Sequence, residues 1–179
     1  NTPFNSLVSL FRPWYPQTAA SVELRLRTVR NITERHPETA WKLLLALLPG
    51  RHDMASPNAK PQWRDDDAGA GEVVTYGEIR QLVLPVASLL LEQAQGNAKR
   101  IADLIPKIDE LDTNFRDEVI ALVVSAKSFP DEDREIVRSA TRKLLNWENS
   151  FNQDGGSHDR YSADALRPLF DELAADDLV

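Results

Sequence analysis

The residues best suited to chemistry lie together between positions 51 and 64. They combine charged, imidazole and indole side chains, and they are Arg51, His52, Asp53, Lys60, Trp63 and Arg64. They belong to a stretch, residues 51–72, that carries no helical pattern, and irregular segments of this length inside compact domains are usually either functional or disordered. These residues are the candidate binding site, with the alternative that the loop simply folds back onto the helices with Trp63 as its anchor. The adjacent His52 and Asp53 leave a small hydrolase open as a further hypothesis.

Other familiar catalytic and metal-binding patterns are missing from the sequence. Residues 69–72 (Gly-Ala-Gly-Glu) lack the lysine and hydroxyl of a phosphate-binding loop. An EF-hand beginning at Asp65 would need glycine and glutamate where this chain has Ala70 and Tyr76. The three histidines are far apart in sequence, cysteine is absent, and no serine stands in a nucleophile elbow. We therefore predict no catalytic residue, no metal site and no cofactor.

The elements that must position the 51–64 stretch are helices. Residues 40–48 (AWKLLLALL) are apolar on nearly every side of a helix, which is typical of a buried helix. Pro37 starts this segment and Pro49-Gly50 ends it. Because the run is much shorter than the roughly 18 apolar residues of a membrane span, we predict that it is the central core helix of a domain.

Further helical stripes fall into pairs over residues 18–36 with 37–49, 75–95 with 97–108, and 113–128 with 130–149. Each pair has the length of a HEAT, armadillo or tetratricopeptide unit, although no motif repeats at a fixed period. We therefore predict an all-α fold, namely a multi-helical antiparallel array or irregular α-solenoid that is HEAT-like or tetratricopeptide-like. Residues 1–179 are expected to form a single helical domain with 51–72 as a long insertion loop.

Helix boundaries are marked by capping residues. Thr18 or Ser21 can cap the helix over 18–36, Thr75 and Glu78 have the spacing of a capping box, and Gly96-Asn97 separates two helices. Asp112 or Thr113 begins the next helix.

Two helices have faces that bear on binding. In the helix over 18–36, Val22, Leu26 and Val29 are predicted to face the core, and the arginines are predicted to lie on the other sides as a mostly solvated face. These arginines are Arg25, Arg27, Arg30 and Arg35. In the helix after Pro130, the residues predicted to point inward are Ile136, Val137, Ala140, Leu144 and Trp147.

The composition limits the possible classes of protein. Apolar residues make up 42% and charged residues 27% of the 179 positions, which is ordinary for a globular protein. The net charge of −7 argues against a surface devoted to nucleic acid. Without cysteine or a signal peptide the expected compartment is the cytoplasm. Because Met54 is the only methionine, we expect the chain to be a fragment of a larger protein.

Several segments also carry a resemblance to a known class of protein. They are residues 14–18 (WYPQT), 41–49 (WKLLLALLP), 51–53 (RHD) and 61–65 (PQWRD). In these the chain resembles a helical segment of large bacterial multidomain proteins, the STAND-type NTPases and related anti-phage proteins. The resemblance implies a helical scaffold or sensor arm that follows an effector or nucleotide-hydrolysing module, and it assigns no catalytic residue.

Three hypotheses follow. The favoured one is a non-catalytic scaffold or sensor module that binds a protein partner or other domains of its parent chain, because stacked helices present an extended surface. The alternative is a helical arm that contacts nucleic acid through Arg25, Arg27, Arg30, Arg51, Lys60 and Arg64. The third is the hydrolase centred on His52 and Asp53. No membrane contact is predicted.

Overall fold

The structure is a computed structural model that describes residues 2–50, 74–110, 112–153 and 161–174. Within these ranges all regular secondary structure is helical, which confirms the predicted all-α class. The α-helices are, in chain order, α1 (Pro3–Phe11), α2 (Val22–Arg35), α3 (Pro37–Leu47), α4 (Tyr76–Ala94), α5 (Ala98–Leu104), α6 (Thr113–Ser125), α7 (Asp131–Gln153) and α8 (Tyr161–Glu172). Short 3-10 turns follow α5 at Ile105–Lys107 and α6 at Ala126–Ser128.

Side-chain caps explain where several helices begin. The hydroxyl of Ser21, at the start of α2, accepts a hydrogen bond from the Leu24 N–H at 3.3 Å, and Asp112 caps α6 in the same manner. Thr75 and Glu78 form the predicted capping box before α4. The Thr75 N–H donates to the Glu78 carboxylate at 2.8 Å, and the Glu78 N–H donates to the Thr75 hydroxyl at 3.3 Å.

Contacts between residues divide the chain into two units, Asn1–Leu90 and Leu91–Val179. In the first unit, α3 packs on both α1 and α2, so α2 and α3 form the predicted helix pair. The buried residues of α3 are Ala40, Trp41, Leu43, Leu44 and Leu47. Because Lys42 and Ala46 are exposed, α3 is buried over most of its circumference, but not all of it.

In the second unit, α7 packs chiefly on α5 and α8, and α6 packs on the same two helices. The main neighbours of α7 are therefore not those of the predicted sequential pairs, and the solenoid arrangement stays a prediction. The predicted boundary at Gly96-Asn97 is confirmed. Gly96 has a φ of 67°, in the left-handed region that favours glycine, and Asn97 caps α5 by accepting a hydrogen bond from the Arg100 N–H.

Candidate functional site

The site predicted from the sequence lies outside the residues that the structure describes. Residues 51–73 form one of the gaps between the described ranges, and they contain the whole predicted set, Arg51, His52, Asp53, Lys60, Trp63 and Arg64. The predicted binding site and the hydrolase hypothesis therefore stay predictions. The other arginines of the nucleic-acid hypothesis belong to α2, where the structure places them.

The arginines of α2 divide between the core and the surface. Arg25 is only 4% exposed and lies on the buried face of the helix with Val22 and Val29, so the prediction that it lies on the solvated face is wrong. Arg25 comes three residues after Val22 and four before Val29, and this spacing places all three on one side of a helix. Arg27 and Arg30 are exposed, as predicted.

Arg25 ties together parts of the first unit. Its Nη1 donates to the backbone carbonyl of Arg12 at 3.5 Å, while its Nε has no hydrogen-bond partner among the described residues. Burial lowers the pKa of the Arg25 guanidinium, and the negative charges of Glu78 and Glu23 partly oppose that shift. These surroundings assign Arg25 a structural role, because a side chain enclosed in this way cannot reach a phosphate in solution.

The exposed side of α2 has a shallow depression of about 480 Å³ in which both signs of charge occur. Arg27 and Arg30 lie there between Glu23 and Glu34 along the helix. The carboxylates repel a phosphate backbone while the arginines attract it, so this surface lacks the continuous positive potential that nucleic-acid binding needs.

A larger groove lies within the second unit, between α7 on one side and α5 with its following 3-10 turn on the other. Its volume is about 790 Å³, which is within the range of protein binding sites. Its lining residues are Ala102, Asp103, Pro106, Glu132, Glu135, Ile136, Ser139, Ala140, Lys143, Leu144 and Trp147. All of them belong to the second unit, so this groove is the candidate functional site.

The groove arises because helix α7 has two distinct faces. The face that packs into the core carries Arg134, Val137, Thr141 and Leu145. The face that lines the groove carries Ile136, Ala140, Leu144 and Trp147. The first three of these are half-buried, and Trp147 is 55% exposed. Of the five residues predicted to point inward, Val137 is therefore in the core, Ile136, Ala140 and Leu144 are only half-buried, and the prediction is wrong for Trp147.

Part of the physical reason is that two polar side chains on the buried face of α7, those of Thr141 and Arg134, find partners on the preceding turn of the same helix. The Thr141 hydroxyl donates to the Val137 carbonyl at 3.0 Å, and the Arg134 guanidinium pairs with Asp131 one turn earlier. A polar group that has found its hydrogen bond can be buried at little cost. The hydrophobic pattern alone favoured the other stripe, which the structure leaves half-exposed.

The groove has an acidic end and an apolar end. Glu132 lies in the first turn of α7 and Trp147 lies fifteen residues later. Carboxylates of Asp103, Glu132 and Glu135 line the groove, against the single ammonium of Lys143 in that lining. The carboxylate of Glu135 lies 3.6 Å from the guanidinium of Arg138. The Arg142 guanidinium also lies 3.4 Å from the Glu135 carboxylate, so the negative character of the groove is concentrated at Glu132.

The polar side chains that line the groove are three carboxylates, one lysine and one serine. Its lining contains neither histidine nor cysteine, so no side chain there can act as the imidazole base or thiolate of a nucleophilic site. Among the residues in the described ranges, no three histidine or carboxylate side chains are grouped so that they could hold a metal. The sequence does not reveal the groove, because the hydrophobic pattern places four of its lining residues, Ile136, Ala140, Leu144 and Trp147, in the core. No local signal distinguishes them, since the exposure of Trp147 is visible only in the structure.

Comparison with known proteins identifies no match for the chain. No protein-family model matches it, and neither the curated proteins nor the solved structures contain a significant match. The helices in the described part of the chain include none with the length and apolar content needed to cross a bilayer.

Proposed function

We propose that this chain is a non-catalytic helical module that binds a protein partner, and that the groove of the second unit is its contact surface. In the setting that the resemblance to STAND-type NTPases implies, the module is a scaffold or sensor arm of a larger bacterial defence protein. The partner is then either another protein or another domain of the same chain.

The observation that carries this proposal is the half-exposed apolar face of α7. A helix normally turns its most apolar stripe toward the core, yet α7 turns Val137 and Thr141 inward and leaves Ile136, Leu144 and Trp147 in the groove. Contiguous apolar surface of this kind is typical of protein interaction sites. Tryptophan is also among the residues that contribute most to binding energy at interfaces.

The shape of the groove favours a protein segment over a small molecule. Its α7 wall extends from Glu132 to Trp147, which corresponds to about 22 Å along a helix. The sites that enclose small ligands bury most of the ligand surface within a compact pocket. A long open groove along one helix instead matches the geometry by which helical peptides are recognised.

The test is a selection of helix-forming peptides from a displayed library against the full chain. We expect enriched peptides whose binding is lost on Ala140→Arg, because a long charged side chain would then lie over the groove floor. The matched control is Val124→Arg, which adds the same side chain at a 41% exposed position of α6 outside the groove lining. This variant should bind the peptides as the parent chain does.

Trp147→Ala provides a second variant in case Ala140→Arg perturbs folding, which circular dichroism would reveal. It removes an exposed ring and should weaken the same peptides. Peptides that bind both groove variants as tightly as the parent chain would contradict the proposal.

A further inference from the structure

The centre of the groove is lined by small side chains. Ser139 and Ala140 on α7 face the groove together with Ala102 on α5. Larger side chains stand toward its ends, with Ile136 on one side of this centre and Leu144 on the other. Small residues allow a second backbone to approach closely, and the length of about 22 Å fits a helix of about four turns. The groove therefore has the dimensions of a binding site for one amphipathic helix.

Charge restricts the identity of that helix further. The acidic end is formed by Glu132, with Asp131 and Asp133 beside it in the first turn of α7. The second unit as a whole contains 19 acidic and 11 basic residues. An acidic segment would meet like charge both in the groove and over the unit, and like charges brought together at an interface cost binding energy.

We propose, on the basis of the protein-binding function above, that the groove binds a basic amphipathic helix, whose apolar stripe covers Ile136, Ala140 and Leu144 and whose lysines or arginines lie against the Glu132 end. Glu132 is exposed, so its carboxylate can pair with such a cation without a large desolvation cost. The Trp147 ring supplies the aromatic contact at the other end.

The test uses three synthetic peptides of about 16 residues, the length of a four-turn helix. They share one apolar stripe of leucine, alanine and isoleucine, and their flanking positions are all lysine, all glutamine or all glutamate. Binding to the full chain is measured by the fluorescence anisotropy of the labelled peptide. The lysine peptide should bind about tenfold more tightly than the glutamate peptide at low salt, since several exposed pairs contribute together. Added salt should reduce this ratio.

A charge reversal locates the effect. Glu132→Lys should weaken the lysine peptide by several-fold and strengthen the glutamate peptide. Glu118→Lys changes the net charge equally at an exposed position on α6 outside the groove lining, and it should leave the ratio between the two peptides nearly as it is in the parent chain. The control thus separates a local contact from the general field of an acidic unit.

The outcomes distinguish this inference from the proposed function. If the glutamine or glutamate peptide binds as tightly as the lysine peptide, and Ala140→Arg still abolishes that binding, the basic partner is wrong while the protein-binding groove stands. If none of the peptides binds in a manner sensitive to Ala140→Arg, both proposals fail. A concentration-dependent dimer in sedimentation velocity that Ala140→Arg disrupts would show that a second copy of this chain occupies the groove, and it would also overturn the basic partner.

Discussion

Among the described residues, the most buried charged side chain lies in the first unit, and the apolar groove lies in the second. The first encloses the charged side chain of Arg25 among apolar helix faces, where it is 4% exposed. The second leaves an apolar stripe of α7 at its surface, with Trp147 55% exposed. A buried charge links the segments around it and its loss affects folding. An exposed apolar stripe contributes little to folding and is available for binding.

The units also differ in charge. The first contains nine acidic and ten basic residues, whereas the second contains 19 acidic and 11 basic residues. The second unit therefore has a net charge of −8 and the first a net charge of +1, which together give the −7 of the whole chain. Since net charge steers association, the unit that holds the groove is also the one that attracts cationic partners. We therefore expect substitutions of buried residues in the first unit to change the free energy of unfolding, and substitutions in the groove of the second unit to change binding.

The largest expected effect contrasts two leucines. Leu44→Ala should destabilise the first unit by about 3 kcal/mol, because Leu44 is fully buried and its truncation leaves a cavity. Leu144→Ala removes the same atoms from the half-buried wall of the groove and should cost only about 1 kcal/mol. Urea unfolding combined with amide hydrogen exchange measures both, since exchange reports on each unit separately.

Leu145→Ala is the control within the second unit. Leu145 is adjacent to Leu144 but belongs to the buried face of α7, at 7% exposure. Its truncation should resemble Leu44→Ala in magnitude. Equal losses for Leu144→Ala and Leu145→Ala would mean that both faces of α7 are core, and the contrast between the two units would no longer hold.

Arg25→Ala is expected to destabilise the first unit by about 2 kcal/mol. The variant loses the packing of the buried side-chain stem and the hydrogen bond to the Arg12 carbonyl. Arg27→Ala, two residues along the same helix and exposed, should stay within about 0.5 kcal/mol of the parent chain. Urea unfolding followed by circular dichroism gives both values. Indistinguishable midpoints for the two variants would show that Arg25 is not a structural cation.

Much of the fold could be predicted from the sequence because local signals specify it. The capping box at Thr75 and Glu78, the stop at Gly96 and the buried helix around Leu44 each depend on residues close together in the chain. Which side chains are buried by tertiary contacts was harder to predict. Hydrophobicity alone cannot reveal that Arg25 is buried, because its guanidinium hydrogen-bonds to the Arg12 carbonyl, which is thirteen residues away in the sequence.

The groove shows that the candidate site, too, depends on tertiary contacts that the sequence pattern does not specify. Two stripes of α7 have helical spacing, and the more apolar stripe, with Ile136 and Leu144, was predicted to be core. The structure instead buries the stripe of Val137 and Thr141, and the Thr141 hydroxyl donates to the Val137 carbonyl on the preceding turn. Which stripe packs on α5 and α8 depends on long-range contacts that no local pattern encodes. The other predicted site, at 51–64, lies beyond the described residues.

A smaller effect is expected where α8 is held on α7. The Arg138 guanidinium lies 4.4 Å from the centroid of the Phe170 ring, and its Nε donates to the Phe170 carbonyl at 3.2 Å. Arg138→Ala should therefore release α8 by about 1 kcal/mol. Hydrogen exchange of α8 amides measures this, with exposed Arg167→Ala on α8 as the control. Unchanged exchange in Arg138→Ala would assign the attachment of α8 to other contacts.

The smallest expected effect concerns Glu78 in the first unit, and it appears as a dependence on pH. The backbone hydrogen bond from Thr75, followed by the one from its hydroxyl, lowers the pKa of the Glu78 carboxyl. A carboxyl whose pKa is lower in the folded chain than in the unfolded chain adds stability above the unfolded pKa of about 4.3. That contribution is lost as the pH falls through the lower folded pKa.

Glu78→Gln keeps a side chain that can complete the capping box but removes the charge. The difference in unfolding free energy between the parent chain and this variant should therefore be constant near neutral pH and shrink in acid. Glu34→Gln removes a carboxylate from the last turn of α2 and controls for net charge. A difference for Glu78→Gln that stays constant into acid would show that the charge of Glu78 has no part in stabilising the start of α4.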